Sequence, residues 1–186
     1  SEPGVGTTMT ATIAAPAATA ATETPAPSEP SKSAPRDGAL AGKRVLIADD
    51  GPDNQRLLAF HCTKAKADIE IVDNGEAAVL AVSVAAHSSK PFDLVLMDVQ
   101  MPLMDGLDAT RRIRSKGFTL PIIAVTANAT TNDQDKCLAA GCDGFLAKPF
   151  QGRALLQTVQ AVLDHAGSIG VDRAGGPARD PTKDVA

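Results

Sequence analysis

Between residues 43 and 165 the chain alternates between two hydrophobic periods. Arg44–Ala48, Ile69–Val72, Leu94–Met97, Ile122–Val125 and Phe145–Ala147 are short apolar runs bounded by Pro, Gly or Asp. Runs of that length predict strands buried on both faces of a parallel sheet. The stretches between them carry helical spacing. Pro52 is placed to start a helix that runs to about Lys66, with Leu57, Leu58 and Phe60 among its apolar residues. After the turn Asp73-Asn74-Gly75, the residues Ala77, Leu80, Ala81 and Val84 recur at i, i+3, i+4 and i+7, the stripe of an amphipathic helix. Leu107–Ser115 predicts a third helix and Asn132–Ala140 a fourth, ended by Gly141. Leu155, Leu156, Val159, Val162 and Leu163 line a fifth. Five strand–helix units with short connections imply right-handed crossovers and a doubly wound, five-stranded parallel sheet of order 2-1-3-4-5, flavodoxin-like, with helices on both faces.

The strand ends carry the chemistry. The first run stops at Asp49 and Asp50, the third at Asp98, the fourth at Thr126 and the fifth at Lys148. Taken alone, a strand-terminal Asp98 reads equally as a loop residue capping the next helix. Strands ordered 2-1-3-4-5 make these tips neighbours, however, and ligands of open α/β sheets bind beyond the carboxyl ends of the strands. All five groups are therefore expected in one pocket.

Composition sets the limits of the folded part. The chain has 186 residues and a net charge of -4, which gives no general attraction to nucleic acid or to an anionic membrane. No apolar run approaches the length that spans a bilayer, and no signal peptide is visible. Residues 1–42 hold six of the thirteen prolines among Ala, Thr and Ser, and the stretch 14–42 reads as a disordered linker. Residues 166–186 read as a disordered tail, leaving 43–165 as the folded domain. Arg111, Arg112, Arg114 and Lys116 form the one basic cluster, read as a solvated helix face. Cys62, Cys137 and Cys142 lack the paired spacing of a zinc site and read as inert thiols of a reducing, cytoplasmic compartment. His61, His87 and His165 share no spacing and are assigned no chemistry.

Three carboxylates in one pocket repel, and a divalent cation resolves the conflict. Mg2+ takes oxygen ligands and is usually held by one or two carboxylates plus a phosphate, which favours it here over zinc or copper. Beside such an ion Asp98 is fit to attack phosphorus, because an aspartyl phosphate is an established type of covalent intermediate. Lys148 and Thr126 would then meet phosphoryl oxygens on which charge develops during transfer.

The stretch MDVQMPLMDG, the upstream acid pair, VTANA and FLAKPF together resemble the response-regulator receiver domain, in particular the receivers of hybrid sensor histidine kinases. The resemblance implies that Asp98 is the phosphoacceptor, that Asp49 and Asp50 organise Mg2+, and that the backbone carbonyl of Gln100 is a further metal ligand. It implies that Thr126 and Lys148 sense the phosphoryl group and that Phe145 is the rotating aromatic, a position often held by Tyr. Read without it, Phe145 is ordinary core packing. It also implies a cis peptide before Pro149, Gln100 and Asn128 flanking the entry path, and a histidine kinase or histidine phosphotransfer domain as partner. Gly51 and Lys66 depart from the family pattern, which often has Asn or Glu at the first position and Gly at the second. Residues 1–13 resemble the end of a histidine-kinase ATP-binding domain. Too few residues follow His165 for a DNA-binding module, so an acceptor within a phosphorelay is the expected role.

Two other classes use similar parts. A haloacid-dehalogenase-like phosphatase also combines Asp, Thr, Lys and Mg2+, but carries an acid two places after its nucleophile, where this chain has Gln100. A flavodoxin-type binding module would have a hydroxyl- and glycine-rich loop after the first strand, where this chain has Asp49 and Asp50.

Overall fold

The computed structural model describes residues 38–127 and 130–168. Five strands alternate with five helices. They are β1 (Arg44–Ala48), α1 (Pro52–Lys64), β2 (Asp68–Val72), α2 (Gly75–Ala86), β3 (Leu94–Asp98), α3 (Gly106–Ser115), β4 (Ile122–Thr126), α4 (Thr131–Ala140), β5 (Gly144–Ala147) and α5 (Gly152–Ser168). All pairings are parallel and the sheet order is β2-β1-β3-β4-β5, as the strand pattern predicts.

Side-chain alternation on the central strands builds two cores. Val45, Ile47, Leu94, Leu96, Ile123 and Val125 pack under α1 and α5. Leu46, Ala48, Val95, Met97, Ile122 and Ala124 pack under α2, α3 and α4. Every residue of β3 and β4 is buried. That explains why these strands read as unbroken apolar runs rather than as alternating ones.

Four expectations are corrected. The folded unit reaches back to Gly38: Leu40 is buried in the α1/α5 core and its N–H donates to the Ala65 carbonyl at 3.0 Å, so residues 38–42 belong to the domain and not to the linker. Helix α1 ends at Lys64, and Lys66 then adopts φ 66, the left-handed conformation that the family's usual glycine enters without strain. On α2 the inward residues are Gly75, Ala78, Val82 and Ala85, whereas Leu80 and Val84 are exposed. The helix is apolar nearly all round, so two stripes of correct spacing exist and the sheet takes the one with smaller side chains. Arg114, finally, is not part of a solvated face. Its guanidinium donates to the carbonyls of Gly141, Phe118 and Leu120, each at 2.9 Å, and pairs with Asp143 at 2.8 Å.

The possible kinase strand of residues 1–13, the linker up to residue 37, Asn128 and the tail from residue 169 lie outside the described residues. Cys62, Cys137 and Cys142 are buried free thiols, and burial pushes Cys62 and Cys142 up to about 11. No helix among the described residues is long and apolar enough to cross a membrane.

Candidate functional site

The carboxyl edge of the sheet gathers the predicted groups. Asp98 is the last residue of β3 and Thr126 the last of β4, each one place inside the strand rather than just beyond it. Both are buried, as is Asp49, while Asp50 is exposed. Carboxylate oxygens of Asp49, Asp50 and Asp98 all lie within 4.8 Å of one another. Lys148 reaches over from the end of β5, and its Nζ donates to Asp49 Oδ2 at 2.9 Å and to Asp98 Oδ2 at 2.8 Å. Its backbone N–H is held by the Thr126 carbonyl at 2.7 Å, and the peptide to Pro149 is cis. Tips of four strands thus meet at one point, as the order of the sheet requires.

Several residues fix this geometry. Asp49 Oδ1 accepts the Gly51 N–H at 2.8 Å and the Asn54 amide at 3.2 Å, and Gln55 donates to the Asp49 carbonyl at 2.6 Å. Asn54 and Gln55 were not singled out from sequence, because polar residues in a first helical turn are common and nothing in the spacing marks these two. The turn after β3 is equally constrained. Gly106 donates its N–H to the Val99 carbonyl, and a Cβ there would lie 1.9 Å from the Asp98 carbonyl oxygen. Only glycine permits α3 to start so close to the end of β3. Gly75, at the start of α2, donates to the Met104 carbonyl at 3.2 Å and anchors the same turn from outside.

Electrostatics are unbalanced on purpose-built ground. Burial pushes the Asp98 carboxyl above its ordinary range, and the Asp49 charge adds to this, while the Lys148 ammonium and the Gln100 N–H pull it back. For Lys148, burial opposes the charged form, yet the hydrogen bonds to Asp98 and Asp49 outweigh it and hold the ammonium above its usual pKa. Three carboxylates and one ammonium leave two negative charges uncompensated. That deficit, with oxygen donors only, fits one hard divalent cation and does not fit a soft one.

Phe145 is half-buried and packs against the core under α2, α3 and α4. A cavity of about 180 Å³ opens between the turn after β3 and α4, lined by Val99, Gln100, Leu107, Thr126, Ala127 and Cys137 among others. Thr126 therefore borders free volume.

Comparison with known proteins decides the family. The profile of the response regulator receiver domain matches residues 45–160. The chain belongs to that family. A two-component response regulator of rice, ORR41, is 43% identical over 112 residues, which are 60% of this chain and 87% of the regulator. The sensor histidine kinase GacS of Pseudomonas protegens is 43% identical over 121 residues, 62% of this chain and only 13% of the kinase. Among solved structures, the receiver domain of sensor histidine kinase PA1611 from Pseudomonas aeruginosa matches with TM-score 0.57 and 36% identity, covering 67% of this chain and 99% of that one. It was crystallised with a magnesium ion coordinated in its active site cleft. The chain is thus a receiver domain of two-component phosphorelays, and the dehalogenase-like alternative finds no support.

Proposed function

We propose that Asp98 accepts a phosphoryl group from a phosphohistidine and that the consequence is a change of the protein-binding surface. The carboxylate oxygen of Asp98 forms the new bond to phosphorus while the bond between phosphorus and the imidazole nitrogen breaks, its electron pair returning to the ring. Asp49, Asp50, Asp98 and the backbone carbonyl of Gln100 would hold Mg2+, which when bound supplies positive charge for the phosphoryl oxygens. Lys148, already within hydrogen-bond distance of Asp98, neutralises a further oxygen. The Thr126 hydroxyl takes the remaining one with backbone N–H groups. Because catalysis of phosphoryl transfer is chiefly positioning and electrostatics, this set of residues needs no further acid or base. Movement of Thr126 toward the phosphoryl group and of Phe145 into the space beside it would carry the change outward.

The observation that carries the reading is the meeting of Lys148 Nζ with both Asp49 and Asp98 at the edge where Asp50 completes the acidic cluster. Its support in sequence is the span of family match, which includes every one of these residues. The donor is a histidine kinase or a histidine phosphotransfer domain in the cytoplasm. The parent is a hybrid kinase whose receiver follows a linker, a reading supported by the small share of the sensor kinases that this chain spans. The test is intact mass after incubation with acetyl phosphate. Wild-type protein gains one acid-stable, base-labile phosphoryl group only when Mg2+ is present, and Asp98→Asn gains none. Labelling of Asp98→Asn to the wild-type level would overturn the assignment.

A further inference from the structure

Gly51 departs from the family pattern, yet its backbone does not ask for glycine: φ -88 and ψ 115 suit any residue. What the missing side chain leaves is room. A Cβ at residue 51 would lie 3.0 Å from the Asn54 amide nitrogen and 3.2 Å from Asp49 Oδ1. Through that space Asn54, half-buried in the first turn of α1, donates to Asp49 Oδ1 at 3.2 Å, beside the Gly51 N–H at 2.8 Å. Lys148 holds the other oxygen, Oδ2, at 2.9 Å. The buried Asp49 carboxylate is thus gripped by both oxygens, from the start of α1 and from the end of β5.

We propose that Asn54 is a positioning residue of the cation site and that Gly51 gives its amide access to Asp49. The inference rests on the reading of Asp49, Asp50 and Asp98 as the residues that hold Mg2+. Their oxygens lie within 4.8 Å of one another, so like charge pushes the carboxylates apart before any ion arrives. A donor on Oδ1 opposes that movement. A cluster held together in advance has little rearrangement left to make on binding, which strengthens the binding. Lys148 cannot supply this alone, because its ammonium is shared between Asp49 and Asp98 and sits on a flexible four-carbon stem. Asn54 has a short side chain on a helix that Leu58 and Cys62 anchor in the core. Gln55 does a different job, since it donates to the backbone carbonyl of Asp49 at 2.6 Å and leaves the carboxylate free to turn.

Titration of the full chain with MgCl2, followed by the backbone amide shifts of residues 51 and 100 in NMR spectra, tests it. Asn54→Ala should raise the dissociation constant for Mg2+ by about tenfold, the lower end of the usual loss for a residue that orients a metal ligand. Gly51→Ala should raise it by a smaller factor and add nothing further in the Asn54→Ala background, because its effect runs through the amide. Urea unfolding supplies the second readout. The rise in midpoint produced by Mg2+ should shrink in Asn54→Ala, whereas a purely structural residue would lower the midpoint equally in Mg2+ and in EDTA. Wild-type affinity in Asn54→Ala would overturn the inference. So would an equal fall of the midpoint in both media, wild-type affinity in Gly51→Ala, or a Gly51→Ala loss that persists in full without the Asn54 amide. Those results leave the reading of the acidic cluster intact; a wild-type chain that bound no Mg2+ would remove that reading and this inference together.

Discussion

The two edges of the sheet use the same kinds of residue to opposite ends. Toward the amino edge three acids each lie against a different cation, and the exposed Asp68, 3.9 Å from the Arg44 guanidinium, shares one of these. Asp93 takes Lys43 at 2.9 Å together with the Arg44 N–H, and Glu70 takes Arg44 at 2.6 Å. Asp143 takes Arg114 at 2.8 Å together with the Ile122 N–H at 2.7 Å. Arg44 also lies 4.3 Å from the centre of the Phe92 ring, so its charge is shared with an aromatic face. At the carboxyl edge Asp49 and Asp98 share Lys148, and Asp50 joins the same acidic cluster. Charge at one edge closes the connections between strands, and charge at the other is left in a deficit that fits a hard divalent cation. The difference teaches that a balanced cluster reads as scaffold and an unbalanced one as a site.

Removing the shared cation gives the largest effect. Lys148→Ala should lower the rate of phosphoryl uptake from acetyl phosphate by about 10²- to 10³-fold, the usual loss for one transition-state donor, followed by intact mass. An unchanged rate would mean that the deficit at this edge is not the working feature. Next comes the scaffold edge. Arg114→Ala strands three carbonyls and the Asp143 carboxylate, and should reduce stability by about 2–3 kcal/mol in urea unfolding while phosphoryl uptake by the folded protein stays near wild type. If uptake collapsed as well, the two edges would not be separable.

The smallest effect concerns pH. The fold raises the Asp98 pKa above the 3.8 of a free carboxyl, with burial the main cause. Ionisation is therefore easier in the unfolded chain, so this group lowers stability as pH rises through 3.8 and up to its folded value, and the penalty is complete above that. Asp98→Asn removes the charge yet keeps an amide oxygen for Lys148. Without Mg2+ it should shift the urea midpoint modestly upward at neutral pH, and the gain should shrink as pH falls toward 3.8. A gain independent of pH would point to packing and not to charge.

Much of this was legible in the sequence because the signals were redundant. Asp49, Asp98, Thr126 and Lys148 each end an apolar run, and the order of the sheet then leaves them no other place to be. The sheet face of α2 was not legible, since alanine, valine and leucine occupy nearly every position and the 3.6 period fits two directions. Arg114 hid for a different reason. Three of its bonds go to backbone carbonyls, which have no signature in the residues that supply them. The start of the domain was misplaced because composition averages over a window, and one leucine among small residues does not change the average although burial makes it count.

Leu40 also says how this unit is mounted. It seats beneath α1 and next to the start of β1, so the chain enters at the rim farthest from Asp98. Helix α5 begins beyond the carboxyl end of β5 and runs back along the sheet, so the chain departs from that same rim. The described chain therefore begins and ends at one rim, and the acidic cluster stands at the rim opposite, a full strand length away from both points of attachment.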